Sequence, residues 1–158
     1  MVELDNFYDI LEIALKNHVI LEKITGKIAL EAAAQLLAAD AFCIIEGGWI
    51  DPAQARKLKD KSEGRFYPVY CGYPTGKVKE RFKMIKNGNS HWLVEESEKS
   101  ACAYLRAQIK LSQWYRKQCK KHDLPFFDFS KVEDGVAALS SDYFNWRLST
   151  TALRQAPV

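Results

Sequence analysis

Hydrophobic positions fall in two rhythms along the chain, and the alternation between them predicts its elements. Val2-Glu3-Leu4 is strand-like and stops at Asp5-Asn6, a helix-start pair. From Phe7 to about Lys16 the apolar residues Phe7, Ile10, Leu11, Ala14 and Leu15 recur three and four apart, the period of an amphipathic helix. A second helix is expected from Leu21 to Ala39, with Ile24, Ile28, Ala32 and Leu36 on one face and an alanine run that lets a neighbour pack closely. Ala41–Ile45 is a continuous apolar run with aromatic and β-branched members, which suits a parallel strand covered on both faces. It closes at Glu46-Gly47-Gly48-Trp49. Asp51-Pro52 then opens a short polar helix, with the proline where its missing N–H does no harm.

Phe66–Cys71 predicts a second strand of the same type, with Pro68 near its start and Gly72-Tyr73-Pro74 closing it. Residues 77–93 are basic and irregularly apolar, and Asn87-Gly88-Asn89-Ser90 breaks the helix there. A long helix follows from about Glu95 to His122, with Cys102, Leu105, Ile109 and Cys119 on one face. Leu124–Ser130 reads as a third short strand. Gly135–Arg147 reads as a closing helix with Val136, Leu139, Tyr143 and Trp146 in register, and Ser149–Val158 as a loose tail. Strands separated by helical stretches imply crossover units and a parallel sheet. The expected class is α/β, a parallel sheet of few strands with flanking helices in three layers, in one domain over residues 1–148.

Composition narrows the function classes. With 158 residues, 47% hydrophobic and 27% charged, the chain has the profile of one soluble globular domain. No apolar run is long enough to span a bilayer, and M-V-E-L-D is no secretory leader, so no membrane partner is expected. Twenty-three basic against twenty acidic side chains leave only +3, weak ground for a nucleic-acid partner. Cys43, Cys71, Cys102 and Cys119 match no zinc or redox spacing. A reduced, cytoplasmic protein is expected.

In open parallel sheets, ligands bind at the carboxyl ends of the strands. Three strand-like segments end suggestively: at Asp5, at Glu46-Gly47-Gly48 and at Gly72-Tyr73-Pro74. Two acids at one sheet edge suit a base and a magnesium-shell ligand, while Asp5 also reads as a helix cap and Glu46 as a solvated turn residue. Lys77, Lys79 and Arg81 either close over phosphates or form a solvated helix face. From Arg106 to Lys121 the long helix carries six basic residues and no acid, and Arg106 and Lys110 share a face that could meet anions. His18 and His122 lie near helix ends, and His91 lies beside Trp92; none needs a catalytic role.

Leu4-Asp5-Asn6-Phe7-Tyr8 resembles the end of the second strand of P-loop small-molecule and nucleotide kinases, where an aspartate before aromatic residues faces the acceptor. Phe42–Gly48 resembles their third strand, whose terminal acid stands at a Walker B-type position. Tyr70–Pro74 is similar to the following strand and its exit, the stretch through Arg81 to the lid, and Pro125–Asp128 to the last strand. The order of these features covers most of the chain. G-x-x-x-x-G-K-[ST], the phosphate cradle of the family, does not occur; Gly72–Val78 has glycines and a lysine at the wrong spacing. The chain reads as though it begins one β–loop–α unit late, so its strands either pair directly with each other, giving a compact monomer without a phosphate cradle, or are completed by a second copy or another chain.

The resemblance implies an ATP- and Mg2+-dependent phosphotransferase acting on a hydroxyl-bearing small molecule, incomplete or inactive as this chain alone. Asp5 would orient or deprotonate the acceptor. Glu46 would hold magnesium through water, and Arg81 would neutralise the transferring phosphoryl group. Gly47, Gly48, Tyr73, Lys77, Lys79 and Arg106 would contact substrate or phosphate. Two alternatives stand beside it: a non-catalytic binding or assembly module that has lost its nucleotide site, and an anion- or RNA-binding domain using residues 77–86 and 106–121 with Trp92 and Trp114.

Overall fold

The computed structural model describes residues 18–39, 44–48, 50–88 and 92–155, which fall into two compact units split between Phe66 and Tyr67. The expected first strand, the helix over residues 7–16 and Asp5 lie outside the described residues. Over these residues the chain mixes helix and strand, with five α-helices and a two-stranded parallel sheet. No described helix is long and apolar enough to cross a membrane.

The first unit contains α1 (His18–Ala38) and α2 (Pro52–Lys61). The expected inward face of α1 is not the one observed: Ala33 is buried at 2% exposure, whereas Ile28 is 61% exposed. Apolar residues occupy most positions of α1, so spacing alone selects no face. α2 starts where Asp51-Pro52 predicts. Asp51 Oδ1 accepts from the Gln54 N–H at 2.9 Å, Gln54 Oε1 accepts from the Asp51 N–H at 3.1 Å, and Pro52 fills the first turn. The buried Ser62 closes the helix, its hydroxyl donating to the Lys59 carbonyl at 2.8 Å and accepting from the Phe66 N–H at 3.1 Å. Arg65 then donates to the Leu37 carbonyl at 2.9 Å, which places a cation at the carboxyl end of α1.

The apolar run before Glu46 departs from expectation. Residues 41–43 lie outside the described residues, and Ile44 and Ile45 belong to no strand and are 88% and 43% exposed. Apolarity marks a segment as able to be buried. A strand also needs a neighbour for its N–H and C=O groups, and among the described residues none pairs with it.

The second unit runs β1 (Tyr70–Gly72), α3 (Val78–Gly88), a 3-10 turn (Trp92–Val94), α4 (Glu98–Lys121), β2 (Phe126–Asp128) and α5 (Val132–Gln155). β1 and β2 pair in parallel, Tyr70 with Phe126, Cys71 with Phe127 and Gly72 with Asp128. Both strands are shorter than predicted, since each extends only as far as its partner. Pro68, buried ahead of β1, has no N–H to offer a ladder. α5 also begins three residues earlier than expected and runs to Gln155 through most of the predicted loose tail.

α4 packs on the sheet. The Tyr70 ring stacks on Tyr115 at 5.4 Å, and Gly72 approaches so closely that a Cβ there would lie 2.7 Å from Ser112 Oγ. α3 carries an apolar seam hidden among its lysines: Val78, Phe82 and Ile85, spaced i, i+4, i+7, pack on a core of Leu93, Ala101 and Leu105. Lys86 fixes the far end by donating to the Val94 carbonyl at 2.7 Å. α5 is held by its first turn and its middle. Gly135 lets it approach the Phe129 ring, where a Cβ would stand 2.9 Å away. Tyr67, ahead of β1, stacks on Trp146 at 4.8 Å and hydrogen-bonds to Asp142.

Candidate anion-binding site

The carboxyl ends of β1 and β2 lie side by side, and their exit loops are tied together. The Phe129 N–H donates to the Gly72 carbonyl at 2.6 Å, and the Thr75 hydroxyl donates to Ser130 Oγ at 2.9 Å. Asp128 Oδ1 accepts from the Ser130 N–H at 2.8 Å. From α4, Ser112 Oγ accepts from the Tyr73 N–H at 3.2 Å and Gln113 donates to the Pro74 carbonyl at 2.9 Å. These bonds tie down Tyr73, Pro74 and Thr75 in the loop that leads into α3.

Arg81 belongs to this framework. Its guanidinium lies 3.8 Å from the centre of the Tyr73 ring and donates to the Phe129 carbonyl at 3.2 Å. Burial raises the pKa of the Tyr73 phenol and the Arg81 charge opposes that rise. A half-buried guanidinium stacked on one face and bonded through Nη2 acts first as a tie between the two exit loops.

Where α3 leaves that loop, an open groove of about 690 Å³ separates its first turn from the amino-terminal half of α4. Lys77, Val78, Lys79, Glu98, Lys99, Cys102 and Arg106 line it. The Val78–Phe82–Ile85 seam turns inward, so Lys77 and Lys79 are left at the rim. On α4, the burial of Ala101 and Leu105 likewise carries Lys99 and Arg106 to the opposite wall. Four cationic residues and one acid, Glu98, thus line the groove, and the wall they supply is mostly their apolar stems. Lys77 is paired with Glu80 at 3.2 Å, with side chains 80% and 67% exposed. An ion pair that open contributes about 0–1 kcal/mol, so it yields readily to a competing anion.

Of the expected site residues, the groove gathers Lys77, Lys79 and Arg106. Tyr73 and Arg81 lie in the loop framework instead. Glu46, Gly47 and Gly48 are exposed and belong to the first unit. Sequence nominates neither Glu98 nor Lys99 and reads Cys102 only as part of the apolar face of the long helix; the i, i+7 spacing of Lys99 with Arg106, one face of one helix, is the signal that points to Lys99. Among the described residues no group of three or more His, Cys, Asp or Glu side chains could cage a metal ion. No protein-family model matches the chain, and no curated protein and no solved structure matches it either.

Proposed function

We propose that the second unit is a phosphate-binding α/β module, kinase-like in the order of its elements, that takes a phosphorylated small molecule such as a nucleotide in the groove between α3 and α4. The observation that carries this reading is that Lys77, Lys79, Lys99 and Arg106 all line one open groove, their stems forming its wall, with Lys77 in the loop that leaves β1. Charge-assisted contacts to phosphate are the strong class of hydrogen bond, and an arginine among lysines adds planar, two-pronged recognition. The parallel pairing of β1 with β2 across a helical crossover is in keeping with a kinase-like sheet. Mg2+ enters as the counter-ion of the nucleotide's phosphates, needing at most one or two carboxylates from protein.

The non-catalytic form of this reading is favoured by one specific contact. Arg81, the residue that phosphoryl transfer would require to be mobile, is engaged by Tyr73 and the Phe129 carbonyl. Calorimetric titration with ATP, with and without Mg2+, tests the proposal. Saturable binding with no hydrolysis or transfer is expected; the absence of binding at millimolar ATP overturns it.

A further inference from the structure

We infer that the exposed face of α4 extends the groove into a track for single-stranded nucleic acid. This rests on the reading of the groove as a phosphate site and goes beyond it, to a polymer of phosphates that continues from the groove along α4. Lys99, Arg106, Lys110, Lys117 and Lys121 follow one another at intervals of 7, 4, 7 and 4 residues. At 100° per residue they fall within a strip about 60° wide, and at 1.5 Å per residue the strip runs about 33 Å. All five are exposed, and none is in an ion pair with another described residue. No acid occurs in α4 after Glu98.

The groove uses only the first two of these cations, so a single small anion leaves the other three without a ligand. A chain of regularly spaced phosphates engages all five. Trp114 lies beside the strip, 45% exposed, with its indole held edge-on against Tyr115 at 5.0 Å and 75°. Tyr115 is itself anchored on Tyr70 of β1. An anchored, accessible aromatic among cations is the platform on which unpaired bases stack, and a 33 Å track falls within the range for sites of about 4–16 nucleotides. A duplex offers no unstacked base to Trp114. Ala103, Ala107 and Gln113 flank the strip, and the exposed Leu111 and Tyr104 lie farther round the helix on the side of Trp114, a stripe that the vesicle arm of the test addresses.

The test is fluorescence anisotropy of the full chain with a fluorescein-labelled twelve-residue oligothymidylate. Saturable binding is expected, with a slope of log K against log salt of about −3 to −4, as for some five neutralised phosphates on a single strand. Lys117→Glu and Trp114→Ala should each weaken it about tenfold. Lys83→Glu, the same charge change on an exposed position of α3, should weaken it less than twofold. ATP binding should be unchanged in Lys117→Glu, and far-UV circular dichroism checks that each variant is folded. Equal losses in Lys117→Glu and Lys83→Glu overturn the track, as does equal affinity for duplex, or binding to phosphatidylserine vesicles without binding to the oligonucleotide. Any of these with ATP binding intact removes the track and leaves the groove. Lys117-dependent oligonucleotide binding without ATP binding supports the track and overturns the groove.

Discussion

At Gly72 the absence of a side chain sets the distance between β1 and α4. A Cβ there would meet Ser112 Oγ at 2.7 Å, Ser112 Cβ at 2.8 Å and Phe126 Cζ at 3.1 Å. Gly72→Ala should therefore cost about 1–3 kcal/mol in denaturant unfolding, the usual range for overpacking. Gly88→Ala, with nothing within 4 Å, should be neutral or stabilising by about 0.5 kcal/mol. Sequence marks Gly72 as the close of a strand and the start of a glycine-and-lysine stretch; the approach of a helix from 40 residues downstream leaves no local mark. The cysteines make a second case. Cys119 is fully buried and its thiol is pushed up to about 11 by that burial; burial also raises the thiol of Cys71, a residue that is nonetheless exposed. The folded state thus holds the Cys119 proton more tightly than the unfolded chain, whose thiol titrates near 9. Its contribution is complete below that pH and is lost as pH rises toward 11, a decline of about 2–3 kcal/mol. Cys119→Ala should remove that part of the alkaline decline, and alkylation at pH 8 should label Cys71 well ahead of Cys119.

Elements announced by a local signal were legible, and those that depend on a partner were not. Asp51-Pro52 marks the start of α2, and the structure adds Gln54, whose bond back to the Asp51 N–H completes the reciprocal pair. Asp51→Ala should lower stability by about 1 kcal/mol, read as a shift in the urea midpoint. α4 and β2 stand within three residues of where periodicity puts them, because long amphipathic spacing and a Pro-flanked aromatic run are self-contained. The run ending at Ile45 looked equally strand-like, yet Ile44 is 88% exposed, since a ladder is made by two segments and only one is visible in a local pattern. The seam of Val78, Phe82 and Ile85 was hidden for the opposite reason. Lysines at 77, 79, 83 and 86 dilute the apolar signal, while their long stems leave the inward stripe free to pack.

For the whole molecule, the cations nominated along one stretch of sequence separate into two roles once α3 is laid on α4. Lys77 and Lys79 reach the groove and meet Arg106 from α4, while Arg81, four residues from Lys77 and one helical turn on, ties the loops of the sheet edge. A one-dimensional reading supplied the cations but not their partition, because which face of α3 is buried depends on Leu93, Ala101 and Leu105 elsewhere in the chain. The groove between α3 and α4 is proposed to hold a phosphate-bearing ligand. Calorimetry with ATP on the Arg106→Ala chain, set against the unaltered chain, tests it most directly. Loss of one charge-assisted contact should weaken binding at least tenfold, about 1.4 kcal/mol, with the unfolding midpoint unchanged because Arg106 is exposed. Equal affinity in the two chains would show that the groove is not where the phosphates bind.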